Sequence, residues 1–348
     1  MTEPLLEVRG LQVDYGVGPD AVRAVAGADL TLHRAEVLGL AGESGSGKST
    51  LAYAITRLLR PPGVITGGSV RLHLAPGSTR DLLAAGASEL RGLRWNHLAV
   101  VLQSAMHALN PVMPVGAQLT DVLQAHRPDL DRAARRAKAG DLLEQVGIPA
   151  GRLGSYPHEL SGGMRQRVMI AMAIALDPQI LIMDEPTTAL DVVTQREILE
   201  ELMALRDRLG FSVLFITHDL SLLIEIADTI AVMYAGRLVE TAAASELYLA
   251  PRHPYTLGLL RSFPSLHGPR KTMTGIAGSP PDLRQLPSGC VFHPRCGYVL
   301  DQCASERPPL AEVPHGNRHA AACWLQEAGH SPPAELAGKA VAVEGSPA

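Results

Sequence analysis

At 348 residues with 46% hydrophobic content, the chain is long enough for one large domain with an appendage or for two modest domains. A net charge of −4 and an isoelectric point near 6.4 give no electrostatic footprint for nucleic acid. No secretory signal is visible at the amino terminus, and Asp177-Pro178 interrupts the longest apolar region, 168–183, so we expect no membrane-spanning helix. These properties predict a cytoplasmic chain that reaches a membrane only by docking.

A glycine-rich loop at residues 42–49 fits the phosphate-loop pattern G-x-x-x-x-G-K-[ST]. An apolar run of strand length precedes it and a helical pattern follows it, which is the context that the motif requires. Lys48 would reach the β- and γ-phosphates and Ser49 would ligate Mg²⁺, while backbone amides turn toward the anion. The sequence thus predicts a nucleoside triphosphate site at Gly42, Glu43, Ser44, Gly45, Ser46, Gly47, Lys48, Ser49 and Thr50.

Strand patterns lie on both sides of this loop. Period-two alternation over 6–15 predicts strands that end at Tyr15, whose ring could stack on a purine base or be half exposed on a strand. Residues 76–97 are polar and indicate mostly loop, and 98–102 indicates a buried strand that ends at Gln103. At that strand end, Gln103 could contact Mg²⁺ or the attacking water.

A second glycine-containing helix start occurs at Ser161-Gly162-Gly163. Ser161 is placed as an N-cap, and the two glycines expose the first amides of the helix, which is a second anion-binding arrangement. A plain capped helix would explain the serine and the glycines, but not their occurrence in a chain that already has a phosphate loop.

Two adjacent carboxylates, Asp184 and Glu185, end the apolar strand 180–183. Such a position is costly unless the carboxylates bind a cation or act in chemistry. Asp184 would hold Mg²⁺, commonly through water, and Glu185 would act as general base on the attacking water. The next core strand, 212–217, ends at His218, which could donate to a γ-phosphate or cap the following helix.

Together with the Ala189-Leu190-Asp191 element, these motifs resemble the ATP-binding subunit of an ATP-binding-cassette (ABC) transporter over residues 5–265. The Leu-Ser-Gly-Gly element is the most family-specific part. The resemblance implies adenine stacking by Tyr15, a Q-loop at Gln103, and a switch histidine at His218. It also implies head-to-tail closure of two cassettes, so that the partner's ATP is clamped by Ser161, Gly162, Gly163 and, at the dimer contact, Asp191.

The stretches 104–111, 253–256 and 278–283 resemble the dipeptide/oligopeptide importer branch, which includes nickel importers. The implied function is ATP hydrolysis that drives peptide import at the cytoplasmic face of the inner membrane. The implied partners are a second, different cassette chain, two permease subunits and, indirectly, an extracytoplasmic solute-binding protein. Import of nickel or another solute stays open. So do two other classes: a soluble ABC ATPase acting on ribosomes or DNA, and a nucleotide-regulated redox or scaffold protein.

All four cysteines occur near the carboxyl end, at Cys290, Cys296, Cys303 and Cys323. Four thiolates together indicate a soft metal site, although the close pairs typical of zinc sites are absent. Disulfides are disfavoured in a cytoplasmic chain. Because members of the resembled branch can carry an iron–sulfur cluster on such cysteines, we expect a structural [4Fe–4S] cluster; zinc and free or paired thiols remain alternatives.

The predicted fold is α/β: a phosphate-loop core with a mostly parallel sheet, an antiparallel β-subdomain, a helical subdomain and a cysteine-containing extension. The expected domains are a nucleotide-binding domain at 5–265, with its helical subdomain at about 104–176, and an extension at 266–326. Residues 327–348 are rich in Ala, Gly, Pro and Ser and predict a disordered tail.

Overall fold

The computed structural model describes residues 3–18, 20–75, 77–103, 108–187, 190–262, 275–314, 318–327 and 329–337. The chain forms two compact units. The first contains residues 1–6, 32–36 and 71–216, and the second contains residues 7–31, 37–70 and 217–348.

The elements combine α-helices with parallel and antiparallel strands, as the sequence predicted. Over the described residues the strands are β1 Pro4–Tyr15, β2 Val22–His33, β3 Val37–Ala41, β4 Gly63–Ala75, β5 Ser78–Asp81, β6 Leu98–Val101, β7 Ile180–Asp184, β8 Ser212–Ile216, β9 Thr229–Tyr234, β10 Arg237–Ala243, β11 Ala311–Glu312 and β12 Ala320–Ala321. The α-helices over the same residues are α1 Lys48–Ile55, α2 Ala87–Leu93, α3 Val115–His126, α4 Arg132–Gln145, α5 Gly162–Ala173, α6 Val192–Leu209, α7 Leu220–Ile226, α8 Ala244–Leu249 and α9 Pro254–Arg261.

In the first unit, β6, β7 and β8 pair in parallel, with Val101 beside Met183 and Met183 beside Phe215. Every residue of β7 and β8 is buried, which explains their continuous apolar sequence, because parallel strands are usually covered on both faces. Parallel pairing also brings the carboxyl ends of β6 and β7 to the same edge. The residues that follow these strands therefore come together.

Helices α3, α4 and α5 of the first unit fall within the predicted helical subdomain. Asp131 caps α4 by accepting a hydrogen bond of 2.8 Å from the amide of Ala134. The predicted loop at 76–97 differs from the structure, which contains β5 and α2 there. Helix α2 has seven residues and buries only Leu90 and Leu93, too few positions to give a clear helical period in the sequence.

In the second unit, β3 pairs in parallel with β9, and β9 pairs antiparallel with β10. Strand β12 pairs antiparallel with both β10 and β11. The phosphate loop connects β3 to α1 and packs tightly on its neighbours. A Cβ atom at Gly42 would lie 2.2 Å from the Met233 carbonyl oxygen, and one at Gly47 would lie 2.4 Å from the Ala24 carbonyl oxygen. Both positions also have positive φ, so only glycine fits them.

The chain after residue 327 differs from the predicted disordered tail over 329–337. Leu336 is fully buried in a cluster with Leu257 and Leu325. The Tyr298 hydroxyl donates a hydrogen bond of 2.8 Å to Glu335, which also forms an ion pair with Arg261. One buried leucine and one ion pair thus hold a segment whose composition alone predicts disorder.

Some predicted features lie outside the described residues: the stretch 104–107, Ala189 of the Ala-Leu-Asp element, the boundary at 265 and 266, and the tail after 337. No helix among the described residues combines the length and apolar character needed to cross a bilayer.

Candidate functional site

The phosphate loop is held by hydrogen bonds from Lys48. Lys48 is buried at the start of α1, and its Nζ donates to the carbonyl oxygens of Gly42 at 2.7 Å and Glu43 at 3.0 Å. Gly47 is the N-cap and has a left-handed conformation with a φ of 104°. The lysine thus lies across the loop, where its ammonium group can bind an anion held by the loop amides.

Ser46 provides an independent test of whether this loop fits a phosphate. Its hydroxyl oxygen is buried and has no hydrogen-bond partner among the residues that the structure describes. A buried polar atom of this kind requires an explanation, and a hydroxyl that can donate to a phosphate oxygen supplies one. Ser49 and Thr50 follow in the first turn of α1, whose N-terminus also favours negative charge.

Tyr15 lies beside the same helix. Its hydroxyl is 3.3 Å from the Thr50 Oγ1, and its ring is half-buried at the end of β1. The contact with Thr50 places the end of β1 beside the phosphate loop. Stacking on a purine stays a prediction.

In the first unit, the ends of β6 and β7 bring Gln103 and Glu185 together. The Gln103 Nε2 donates a hydrogen bond of 3.0 Å to the Glu185 Oε2. Glu185 has a φ of 44°, in the left-handed region that few non-glycine residues occupy, and its amide donates to the Ile216 carbonyl at 2.9 Å. Backbone strain of this kind is concentrated at functional sites. Asp184, just before it, is fully buried.

Ser161 and Asp191, the residues predicted to act on a partner's ATP, both cap helices. The Ser161 Oγ accepts a hydrogen bond of 3.2 Å from the Met164 amide at the start of α5. Asp191 caps α6 by accepting from the Thr194 amide at 3.0 Å and the Thr194 hydroxyl at 2.8 Å. These hydrogen bonds hold the pKa of Asp191 below its ordinary value. Both capping residues are exposed, while Gly163 is buried.

Gly163 packs against the other capped helix. A Cβ atom at this position would lie 2.7 Å from the Thr194 Cγ2, so the glycine permits close contact between α5 and the start of α6. The capped starts of α5 and α6 therefore lie next to each other.

His218 is exposed just after β8. The sequence left open whether it caps the next helix, and the structure gives that role to its neighbour. Asp219 accepts hydrogen bonds from the amides of Ser221 at 3.0 Å and Leu222 at 3.2 Å at the start of α7. His218 is thus not required as the cap of α7.

Two residues that contact the phosphate loop were missed by the sequence reasoning. The Tyr255 hydroxyl accepts a hydrogen bond of 2.8 Å from the Glu43 amide, and the guanidinium of Arg295 donates two hydrogen bonds to the Glu43 carboxylate. Tyr255 belongs to the 253–256 stretch that was noted only for its resemblance, and Arg295 directly precedes Cys296. More than 200 residues separate either of them from Glu43, so no local pattern connects them.

The four cysteines line one small cavity of about 10 Å³ in the second unit. All four are free, so no disulfide joins any of them in the described chain. Burial raises the pKa of the Cys290 thiol, that of Cys296 to about 11 and that of Cys323 to about 12. The raised pKa values favour the neutral thiol form of these three groups near pH 7.

Comparison with known proteins gives two family matches. Residues 25–188 match the ABC transporter family, and residues 239–303 match the family described as oligopeptide/dipeptide transporter, C-terminal region. A putative peptide import ATP-binding protein of Brucella melitensis is 44% identical over 91% of this chain and 96% of its own length. The oligopeptide transport ATP-binding protein OppD of Bacillus subtilis is 42% identical over 92% of this chain and 88% of its own length.

Solved structures agree with these matches. A dimeric ATP-binding cassette in a post-hydrolysis state, bound to ADP and Pi, has a TM-score of 0.60 and 25% sequence identity. The match covers 69% of this chain and 99% of that one.

The prediction of an iron–sulfur cluster on Cys290, Cys296, Cys303 and Cys323 is wrong. Among the described residues, no three or more His, Cys, Asp or Glu side chains form a group that could hold a metal ion. The names of the relatives carry no iron–sulfur designation. The cavity that the thiols help to line has a volume of about 10 Å³. The four thiols line one cavity, and burial raises the pKa of three of them, Cys290, Cys296 and Cys323.

The fold, the phosphate loop, the strand-end carboxylates and the nearly full-length relatives lead to one conclusion. This chain belongs to the ABC transporter family, among the ATP-binding subunits of its peptide-import branch.

Proposed function

We propose that this chain hydrolyses ATP and that the hydrolysis powers the import of di- or oligopeptides through separate membrane subunits. The observation that carries the peptide assignment is the match to a peptide import ATP-binding protein over 96% of that protein's length. The match of residues 239–303 to an oligopeptide/dipeptide transporter region supports the same branch.

The phosphate loop supplies the binding of the nucleotide in this proposal. Its amides, Lys48 and the Ser46 hydroxyl would bind the β- and γ-phosphates, and Tyr15 would stack on adenine. Mg²⁺ would be held by Ser49, Gln103 and Asp184, whose hydroxyl, amide and carboxylate oxygens are the hard ligands that this ion prefers. When bound, the ion would neutralise charge on the phosphates.

Glu185 supplies the base. A water molecule attacks the γ-phosphorus in line, its proton passes to the Glu185 carboxylate, and ADP leaves. The hydrogen bond from Gln103 to Oε2 would orient this carboxylate toward the water. His218, exposed after β8, would donate a hydrogen bond to the γ-phosphate.

A second cassette completes the arrangement in this proposal. Ser161, Gly162, Gly163 and Asp191 would contact ATP on the phosphate loop of the partner, which we take to be a different chain. The exposure of the two capping side chains and the adjacent starts of α5 and α6 support such a role. Closure of the two cassettes on ATP would be transmitted to two permease subunits at the cytoplasmic face of the inner membrane. An extracytoplasmic binding protein would deliver the peptide.

The Glu185→Gln variant tests the enzymatic part. Loss of the base should lower the rate of phosphate release by at least about 100-fold, while ADP affinity stays unchanged. The matched control is Glu200→Gln, which changes an exposed glutamate of α6 that pairs with Arg196 and should keep the full rate. Full activity in the Glu185→Gln variant would show that another group is the base.

Purification from native membranes tests the transport part. We expect recovery with two permease subunits and a second cassette, and uptake of a labelled tripeptide that stops in cells carrying only the Glu185→Gln chain. Uptake of Ni²⁺ instead of the peptide would assign the nickel alternative. Recovery with ribosomes or DNA would contradict the proposal altogether.

A further inference from the structure

Glu43 is an unexpected residue for a phosphate-binding loop. It follows Gly42 in the loop, and its carboxylate brings negative charge to a segment that binds an anion. Two like charges close together repel each other, and the repulsion is stronger where water is partly excluded. The Glu43 side chain is 26% exposed, so solvent screens it only in part. The loop therefore needs a positively charged group that neutralises the Glu43 carboxylate.

Arg295 supplies such a group. Its Nη1 donates to the Glu43 Oε2 at 2.7 Å and its Nη2 donates to the Oε1 at 3.0 Å, a paired geometry that gives strong and directional hydrogen bonds. The guanidinium side chain is only 6% exposed. Burial acts to lower the pKa of Arg295, but the hydrogen bonds to Glu43 and Tyr234 outweigh it and leave the pKa above its ordinary value.

Arg295 is itself fixed in place by the second unit. Its Nε donates to the Ala277 carbonyl at 2.9 Å, and the guanidinium lies 5.8 Å from the ring centroid of Tyr234 and 6.0 Å from that of Phe292. These rings form one aromatic group with Tyr255, with neighbouring centroids 4.6 to 5.4 Å apart. The arginine therefore contacts Glu43 from a rigid support.

Tyr255 holds the backbone of the same residue. Its hydroxyl accepts from the Glu43 amide at 2.8 Å, while Lys48 donates to the Glu43 carbonyl at 3.0 Å. The amide, the carbonyl and the carboxylate of Glu43 are thus all hydrogen-bonded. A glycine-rich loop loses much conformational entropy when it is ordered, so a loop held in advance binds its ligand more tightly.

We propose that Arg295, in the cysteine-bearing extension, is a positioning residue of the nucleotide site that neutralises Glu43 and orders the phosphate loop. The extension is then part of the ATP-binding apparatus, with Tyr255 as the second support. The inference rests on the proposed nucleotide site and adds to it a residue from outside the phosphate-loop motif.

The test compares nucleotide affinity among full-length variants, measured by titration calorimetry with ADP and Mg²⁺, alongside thermal melting. Arg295→Met leaves the Glu43 carboxylate unpaired near the phosphates and should weaken ADP binding by about tenfold. Adding Glu43→Gln removes the unpaired charge and should restore the affinity to within about threefold of the unaltered chain. Arg284→Met, an exposed arginine of the same extension, is the control and should bind ADP normally.

Recovery of ADP affinity in the double variant is the deciding result. If Arg295 had a purely structural role, adding Glu43→Gln would give no reason for the affinity to return. ADP affinity within twofold of normal in Arg295→Met, or a double variant as weak as the single one, would overturn the inference. Should Arg295→Met fail to fold, Arg295→Lys keeps the charge but loses the paired geometry, and should bind ADP about threefold more weakly. Normal ADP affinity of the Arg295→Lys variant would equally overturn the inference.

Lys48→Ala distinguishes this inference from the proposed function. If Lys48→Ala abolishes ADP binding and Arg295→Met does not change it, only the inference fails. If Lys48→Ala binds ADP normally, the nucleotide site itself is misassigned and both fail.

Discussion

The phosphate loop and the cysteine group are both conspicuous in the sequence, yet the structure treats them differently. In the loop, Lys48 forms hydrogen bonds to two carbonyls and the buried Ser46 hydroxyl is suited to donate to an anion. At the cysteines, burial raises the pKa of Cys296 to about 11 and that of Cys323 to about 12, and both residues help to line a cavity of about 10 Å³. Residue types at a suitable spacing therefore make a site only where the surroundings favour the charged form that binds.

Among these predictions, Lys48→Ala should have the largest effect, which is a loss of ATP hydrolysis. Removing the ammonium group from the anion-binding loop should reduce ATP hydrolysis by at least about a thousandfold, measured as phosphate release. Lys138→Ala, which removes a partly exposed lysine of α4, should leave the rate unchanged.

A variant with all four cysteines changed to serine completes this comparison. Because neither the loop nor Glu185 contacts them in the proposed chemistry, hydrolysis should stay within about twofold of normal. A loss as large as that of Lys48→Ala would show that the cysteines do act in catalysis.

The reactivity of the thiols should follow pH steeply. Since only the thiolate is alkylated, Cys296 and Cys323 should react with iodoacetamide about 100 to 1,000 times more slowly at pH 7 than an unburied cysteine. The rate should rise about tenfold per pH unit above neutrality, measured by mass spectrometry of the labelled peptides. The urea-unfolded chain is the control and should react rapidly at all four positions. Fast labelling of the folded chain at pH 7, or stoichiometric iron after purification, would contradict the neutral-thiol description.

His253 lies at the cysteine cavity and should make stability depend on pH. Burial lowers its pKa to about 4, against the opposing influence of the Glu240 carboxylate, and its Nδ1 accepts from the Tyr255 amide at 3.0 Å. The unfolded chain binds the proton more readily, so this contribution is complete above pH 6.5 and is lost as the pH falls toward 4. We expect a fall of roughly 3 kcal/mol in the free energy of unfolding over that range, measured by urea denaturation.

His253→Asn is the matched variant for this prediction. Asparagine can still cap α9 but does not titrate, so the variant should lose this part of the pH dependence. An unchanged pH profile would mean that other groups cause the acid sensitivity.

Leu336→Ala should lower stability somewhat less than protonation of His253 does, and it tests whether the segment 329–337 packs on the cysteine region. Leu336 is fully buried against Leu257 and Leu325, with Tyr298 and Cys323 packed on the same cluster. We expect a loss of about 2–3 kcal/mol in the free energy of unfolding by urea denaturation. Leu249→Ala, at a side chain that is 44% exposed, should change stability by less than about 0.5 kcal/mol. Equal effects of the two substitutions would show that the segment 329–337 does not pack as described.

Local patterns were enough for the parts of the site whose residues are close in sequence. The phosphate loop needs a strand, glycines and a helix start in one short stretch. Gln103 and Glu185 lie 82 residues apart, and it is the parallel pairing of β6 with β7 in the structure that brings them together. Seven-residue α2 and the packed segment 329–337 were missed because each is held by one or two buried side chains, which leave no period in the sequence.

The sequence by itself determined the family, the nucleotide loop and the catalytic candidates, because these depend on chemistry that must be present at fixed local spacing. Only the tertiary structure decided the raised pKa of Cys290, Cys296 and Cys323 and the partner of Glu43. Desolvation depends on everything that packs around a thiol, and the contact between Glu43 and Arg295 joins positions 252 residues apart. Neither the burial of the thiols nor the contact between Glu43 and Arg295 is encoded in any short stretch of the chain.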